Sequence, residues 1–499
     1  MEKYREKPTE FSTEEFKNSG YQLIDEIANF IETIERKPVT TGESPKLIKD
    51  ILGNRSLQEQ GMSISEIIPK TSDLLFNHSL LNGHPKFFGY ITSSATPIGT
   101  LADLLAAAIN PNVGANILSP IATAIEQQTI KWLTEFIGVP SKYGGLFVSG
   151  GNMANFTAFL AARNTKAPKN FKDKGLFNTA NELVFYCSTA THTWIEKAAT
   201  LFGHGSNAIR WIPTDTENKM DIEVLTKTIE VDVKNGKKPF LVVGTSGNVS
   251  TGDIDNLSAI AEVCKTYDLW FHIDGAYGAP AAAIPEFKNM FEGIAEADSI
   301  ALDPHKWLYC PLEVGCTLVK DPQNLINTFS SRPVYYNFNK SDDEPPLNYY
   351  EYGLQNSRGF RALKVWMSLQ QFGKSGYIKM IKEDIELSKL LFEEAVKHPE
   401  LEAITQKLSI TTFRYVPLET GINDSDEETY LNKLNEKLLD ELQKNGKVFL
   451  SNAVVFNKYC LRVCIVNFRT SRKDIQETVE IIVREGRRVH ENLQENNLK

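Results

Sequence analysis

The stretch Ser299-Ile300-Ala301-Leu302-Asp303-Pro304-His305-Lys306-Trp307 is an apolar run that ends in a cluster of ionisable and aromatic side chains. A short run without charges is typical of a strand that is buried on both faces of a sheet. Polar groups directly after such a strand lie at the carboxyl edge of the sheet, where open α/β folds bind their ligands. The stretch therefore predicts an α/β protein with a functional site at this edge.

Further apolar runs alternate with helical patterns along the chain. They are Leu146-Phe147-Val148, Leu183-Val184-Phe185-Tyr186, Phe240-Leu241-Val242-Val243, Leu269-Trp270-Phe271-His272-Ile273 and Cys316-Thr317-Leu318-Val319. Runs of this length, rich in β-branched and aromatic residues and separated by helices, predict a mostly parallel sheet with helices on both faces.

The chain divides into three predicted parts. Residues 1–85 contain an amphipathic helix from about Phe11 to Glu35, with Ser12 as its possible cap, and form a helical arm expected to pack on something outside itself. Residues 86–378 hold the alternating strands and helices and form a large domain. Residues 379–499 combine few strands with flanking helices, which is typical of a smaller α+β domain.

Composition argues against several classes of function. The chain has 54 Lys+Arg and 63 Asp+Glu and a formal net charge of −9, so we expect no nucleic-acid binding, which needs a positive field. We see no long uncharged apolar stretch and no signal peptide, so we expect a cytoplasmic protein without a membrane span. The six cysteines form no C-x-x-C pair, which indicates buried reduced thiols rather than disulfides or a metal site.

Two strand ends supply the central candidate residues. A lysine such as Lys306, flanked by an imidazole and a bulky aromatic, loses solvation and becomes a nucleophile toward a carbonyl carbon. Asp274 ends another apolar strand 32 residues earlier, and Gly275 and Ala276 come directly after it. An acid at this place fits the group that keeps a pyridine nitrogen protonated, although a helix cap or a metal ligand is an alternative interpretation.

Two more strand ends complete the candidate site. Gly150, Gly151 and Asn152 come after a predicted strand and begin a predicted helix, so their backbone N–H groups and the helix dipole suit a phosphate. His192 comes after the next strand and would stack on a flat ring and contact a substrate carboxylate, unless it is a structural histidine.

Five segments together resemble one known family. They are S-G-G-N-M-A-N at 149–155, T-H-T-W at 191–194, H-I-D-G-A-Y-G at 272–278, D-P-H-K-W-L at 303–308 and S-R-G-F-R-A-L-K-V-W at 357–366. In this order and spacing the chain is similar to the pyridoxal-phosphate-dependent group II amino-acid decarboxylases, and to their bacterial aromatic L-amino-acid decarboxylase branch. The resemblance implies a fold-type I transferase fold with a seven-stranded sheet, an intertwined homodimer, and the conversion of an L-amino acid to its amine and CO₂.

The resemblance also implies roles for individual residues. Lys306 would bind pyridoxal phosphate covalently, Asp274 would pair with its ring nitrogen and His192 would stack on its ring. Tyr335 would protonate the substrate carbon. The other implied cofactor contacts are Gly150, Gly151, Asn152, Asn248, Ala276, Asp303, His305 and, from the neighbouring subunit, Ser357.

The substrate side chain is predicted from a cluster of aromatic residues. Phe87, Phe88, Tyr90 and Trp307 offer flat apolar surface near the expected mouth, which favours tryptophan, phenylalanine, tyrosine or a hydroxylated relative, although these residues would serve equally well as core. The alternatives that stay open are an aldehyde synthase, a decarboxylase of a non-aromatic amino or sulfinic acid, a β-lyase-like eliminase, and a catalytically silent cofactor-binding scaffold.

Overall fold

The computed structural model describes residues 12–168, 171–176, 181–331, 346–420 and 423–497. The described helices are α1 Thr13–Thr33, α2 Pro45–Leu52, α3 Ile64–His78, α4 Pro97–Ile109, α5 Pro120–Ile137, α6 Gly151–Lys166, α7 Phe171–Lys174, α8 Trp194–Leu201, α9 Ile222–Lys234, α10 Leu257–Thr266, α11 Gln323–Phe329, α12 Ala362–Lys397, α13 Asp424–Asn445 and α14 Arg472–Asn497. The described strands are β1 Gly144–Val148, β2 Leu183–Ser188, β3 Ile209–Ile212, β4 Lys238–Thr245, β5 Trp270–Asp274, β6 Ser299–Leu302, β7 Gly315–Val319, β8 Leu401–Lys407, β9 Ile410–Tyr415, β10 Ser451–Val455 and β11 Lys458–Cys464.

The larger sheet has seven strands in the order β1-β7-β6-β5-β4-β2-β3. Strands β2 to β6 pair in parallel, whereas β7 runs antiparallel to both β1 and β6. The predicted mostly parallel sheet and the fold class are therefore confirmed. The prediction from apolar runs did not include β3, a four-residue edge strand that is only partly buried.

The smaller sheet has four antiparallel strands in the order β10-β11-β9-β8. Its core is separate from that of the larger sheet and includes side chains from α12, α13 and α14. The predicted boundary at residue 378 falls inside α12, five residues after Gly373, where the backbone leaves helical geometry with a φ of 60°. The two predicted domain boundaries stay predictions.

The predicted N-terminal helix corresponds to α1. Ser12 caps it through a capping box with Glu15, as the sequence indicated. The helix packs on α3, where the rings of Phe30 and Phe76 stack with centroids 4.4 Å apart. In the part of the chain that the structure describes, no helix is both long and apolar enough to cross a membrane.

Candidate active site

A cavity of about 570 Å³ opens at the carboxyl edge of the larger sheet. Its wall contains most of the predicted site residues, namely Gly150, Gly151, Asn152, His192, Asn248, Asp274, Ala276, Asp303, His305 and Lys306. These residues come from five segments, at the ends of β1, β2, β4, β5 and β6. Because these five strands run in the same direction, the segments meet at one edge, as the sequence predicted.

Lys306 lies on the loop after β6 and faces a buried carboxylate. Its Nζ is 3.1 Å from Oδ2 of Asp303, whose side chain is only 1% exposed. The second oxygen, Oδ1 of Asp303, is buried without a hydrogen-bond partner. His305, between them in sequence, is held by Val314, whose carbonyl oxygen lies 2.7 Å from its Nδ1. Burial lowers the pKa of the His305 imidazole.

The predicted phosphate site is the start of α6. Gly150 has a φ of 128°, in the region that only glycine adopts without strain, and it turns the chain from β1 into the helix. A Cβ atom on Gly151 would lie only 2.5 Å from Oδ2 of Asp303 and would clash with it. The start of the helix therefore needs a glycine at this position. The first-turn N–H groups of a helix of this length have no partner within the helix and suit a phosphate.

Asp274 ends β5 in a buried position and is 7% exposed. The indole Nε1–H of Trp194 donates to its Oδ2 over 2.8 Å, and the backbone N–H of Ala276 donates to its Oδ1 over 3.3 Å. The backbone N–H of Trp194 also donates to Nδ1 of His192 over 3.3 Å. His192 is open to the cavity, and burial of the rest of the ring lowers its pKa.

Thr245 is a site residue that the sequence interpretation missed. The Oδ1 atom of Asn248, the predicted contact, is already used by the N–H groups of Ser250 and Thr251. Thr245, at the end of β4, pairs in register with Asp274 and lines the cavity, and its buried hydroxyl has no partner. Its position at a strand end was the available signal, and it is a better candidate than Asn248 for a hydroxyl contact to a ligand.

The predicted aromatic substrate surface is wrong for three of its four members. Phe87 stacks on Phe449, and Phe88 is fully buried in the core of the smaller sheet. Trp307 is fully buried against the ring of Tyr277. Their rings fill contacts between elements, which is the alternative that the sequence left open. Tyr90 does line the cavity.

Ser357 is the one described member of the predicted catalytic and cofactor-binding set that does not line this cavity. Ser357 is exposed on its own chain, next to the buried Arg358, which bonds to Glu126. Tyr335 lies outside the described residues, so its role stays a prediction.

The sequence and fold comparisons identify the class of protein that this site belongs to. Residues 45–416 match the family model described as "Pyridoxal-dependent decarboxylase conserved domain". The match covers more than half of the chain, so the chain belongs to this family and is a carboxy-lyase that depends on pyridoxal phosphate.

Individual relatives agree with this class. The chain is 35% identical over 470 residues to an aromatic-L-amino-acid decarboxylase of Bacillus atrophaeus, a match that covers 93% of this chain and 94% of the relative. It is 30% identical to a phenylacetaldehyde synthase of Petunia hybrida, over 91% of this chain and 90% of the relative. The structure of Catharanthus roseus tryptophan decarboxylase in complex with L-tryptophan matches with a TM-score of 0.87, 25% identity and coverage of 97% of this chain and 100% of the other.

The observed residues fit pyridoxal phosphate. The cavity offers a lysine amine, a buried carboxylate that suits the ring nitrogen and a glycine turn at a helix start that suits the phosphate. The unpartnered hydroxyl of Thr245 is a further contact that a bound cofactor would satisfy.

A buried histidine on β5, the strand that ends at Asp274, predicts that the fold loses stability in acid. His272 is fully buried between Asn155 Oδ1, 2.7 Å from its Nε2, and Ser299 Oγ, 2.8 Å from its Nδ1. Burial lowers the pKa of His272 to about 4, whereas an unfolded chain has a histidine pKa of about 6.5. The neutral ring therefore stabilises the fold fully above about pH 6.5, and this contribution is lost as the pH falls toward 4.

We expect the free energy of unfolding of the wild type to fall by about 2–3 kcal/mol relative to His272→Gln between pH 6.5 and pH 4. Urea denaturation of both proteins across this range measures the difference. A difference that stays constant with pH would contradict the assignment.

Proposed function

We propose that this protein decarboxylates an aromatic L-amino acid to its amine and CO₂. One observation carries the proposal: the polar strand ends form the base of the cavity, while Tyr90, Ile91, Val249 and Leu312 line it with apolar surface. Tyr90, Val249 and Leu312 are 59%, 40% and 60% exposed and so lie toward the open side, where a substrate enters. The relatives named for aromatic decarboxylation support the same substrate class.

Each polar group has a distinct task in this proposal. Pyridoxal phosphate, when bound, supplies an aldehyde that condenses with amines and a charged ring that accepts the electron pair left by departing CO₂. Lys306 holds the cofactor through its amine, and Asp274 holds the proton on the ring nitrogen. Because Nδ1 of His192 accepts from Trp194, a neutral His192 carries its proton on Nε2 and can donate it to the substrate carboxylate.

A panel of amino acids tests the proposed function. We expect CO₂ release from tryptophan, tyrosine, phenylalanine or hydroxylated relatives to exceed release from glutamate and cysteine sulfinate. Lys306→Arg keeps the positive charge but cannot form the covalent link, so we expect CO₂ release at background and no borohydride-reduced adduct at residue 306. Equal release from acidic and aromatic substrates would refute the aromatic assignment, and a reduced adduct elsewhere in the wild type would refute the role of Lys306.

We also propose that Tyr335 protonates the substrate carbon after CO₂ leaves, which separates amine formation from aldehyde formation. The resemblance to the decarboxylases supports this role, and the likeness to the Petunia aldehyde synthase gives the second candidate function its support. We expect Tyr335→Phe to shift products from amine toward aldehyde, ammonia and hydrogen peroxide, with uptake of dissolved O₂ as the oxidant, because the variant lacks the phenolic proton. Measuring the amine and the aldehyde formed in the same reaction tests this role. An unchanged amine yield in the variant would contradict the assignment of Tyr335 as the proton donor.

We further propose that the active unit is a homodimer. Exposed apolar side chains concentrate on and after α4, which is uncommon for a free surface. They are Leu101, Leu104, Leu105, Ile109, Ile117, Leu118 and Ile121, with exposures from 48% to 72%. Leu312, which is 60% exposed, lines both the active-site cavity and a neighbouring pocket beside α4, so a partner on this face would adjoin the site.

Hybrid dimers test whether Ser357 serves the partner's site. Lys306→Arg and Ser357→Asp are each expected to be inactive, the second because a carboxylate repels the phosphate. Equal co-expression is expected to restore about a quarter of wild-type activity, since half of the dimers are hybrids and each has one intact site. Leu104→Glu, on the apolar face, is expected to give monomers in sedimentation. A mixture without restored activity would contradict the shared site.

A cytoplasmic location is proposed on chemical grounds. All six cysteines are buried and unpaired, as expected of a protein kept in a reducing compartment. Cell fractionation tests this, and recovery of the protein outside the cytoplasm would contradict it.

A further inference from the structure

Trp194 links two groups of the candidate site through separate hydrogen bonds. It is fully buried as the first residue of α8. Its indole N–H bonds to Asp274 over 2.8 Å, and its backbone N–H bonds to His192 over 3.3 Å. One residue therefore contacts both the acid at the base of the cavity and the imidazole in its wall.

We propose that Trp194 is a positioning residue that orients the Asp274 carboxylate toward the ring nitrogen of the cofactor. The proposal rests on the function proposed for Asp274. It extends that function by naming the side chain through which this acid is controlled.

The hydrogen-bond pattern around Asp274 supports this role. An indole N–H is only a donor, so Oδ2 of Asp274 must accept and cannot itself hold a proton toward Trp194. The other described bond, from the Ala276 N–H, is longer at 3.3 Å. Without the indole bond, only this longer bond would hold the orientation of the carboxylate.

The surroundings of Trp194 fix the direction of its N–H. The ring meets His272 edge-on, with centroids 5.9 Å apart and an interplanar angle of 90°. Phe156 packs on it at 6.5 Å and 64°. His272 is itself held by Ser299 and Asn155. An indole packed in this way has little freedom to turn, so its N–H holds the carboxylate in one orientation.

The two bonds made by Trp194 can be separated experimentally. The bond to Asp274 comes from the side chain, whereas the bond to His192 comes from the backbone. Trp194→Phe removes the first, keeps an aromatic ring in the pocket and leaves the second donor in place. An effect of this variant therefore reports on Asp274 rather than on His192.

The decisive measurement compares two ligands on the same protein: pyridoxal phosphate and its deaza analogue, in which CH replaces the ring nitrogen. We expect Trp194→Phe to weaken binding of pyridoxal phosphate while the affinity for the analogue stays within about twofold. With saturating cofactor we expect kcat to fall about 10- to 100-fold and KM to change little, the loss typical of one hydrogen bond to a charged group. Trp194→His, which retains a ring N–H donor, is expected to recover part of the preference for the ring nitrogen.

Trp270→Phe is the matched control. Trp270 is also buried, at 2% exposed, and its indole N–H donates to Ser299 Oγ over 2.8 Å instead of to Asp274. We expect it to lower the melting temperature without changing the ratio of the two affinities. A loss of folding in Trp194→Phe would weaken the binding of both ligands alike. An unchanged ratio of the affinities for pyridoxal phosphate and its deaza analogue in that variant overturns the proposal.

Asp274→Asn separates this proposal from the function on which it rests. If Asp274→Asn reduces the preference for pyridoxal phosphate over the analogue and Trp194→Phe does not, Trp194 is only structural and the role of Asp274 stands. If Asp274→Asn leaves the preference and kcat unchanged, both assignments are wrong. Equal losses in the two single variants, with no further loss in the double variant, support action through one carboxylate.

Discussion

The site depends on the parallel alignment of β4, β5 and β6. Thr245 pairs in register with Asp274, and Asp274 pairs with Ala301, two residues before Asp303. Because the three strands end at one edge, the sheet brings together the Thr245 hydroxyl, the Asp274 carboxylate and the loop that carries Lys306. The antiparallel strand β7 comes next in the chain, and Val314, just before it, holds the ring of His305.

Elements from outside the larger sheet hold this edge in place. The indole N–H of Trp307 and the hydroxyl of Tyr309 both donate to Oδ2 of Asp384 on α12, over 2.9 Å and 2.6 Å. Both donors follow Lys306 closely on the same loop, so their hydrogen bonds to α12 hold this loop in place. The hydroxyl of Tyr277 similarly bonds to Ser409 between β8 and β9. The lysine loop and the segment after Asp274 are therefore each attached to a part of the chain beyond residue 378.

Strand ends were predictable from the sequence, whereas the packing of side chains between elements was not. Lys306, Asp274 and His192 were predictable because a buried strand with a polar residue at its end has a fixed place in a parallel sheet. Phe87 and Trp307 were misplaced because an aromatic residue near a site fills a core or lines a cavity with the same local pattern. Thr245 was missed although it also ends a strand, whereas Trp194 was missed because its significance lies in long-range contacts, which one sequence does not reveal.

The apolar side of the cavity depends on contacts beyond the larger sheet. Tyr90 has a left-handed backbone with a φ of 54°, an unfavourable conformation for this residue type. Its carbonyl oxygen accepts from the buried Arg462 over 2.9 Å, and its N–H donates to Ser451 Oγ over 3.3 Å, so β10 and β11 stabilise that conformation. Leu312 on the same cavity faces the exposed surface beside α4. The proposed cofactor contacts therefore come from one sheet, whereas the proposed substrate wall is shaped by a second sheet and lies beside the apolar face proposed for dimerisation. Substitutions in either place are therefore expected to change substrate choice while Lys306, Asp274 and the glycine turn before α6 remain intact.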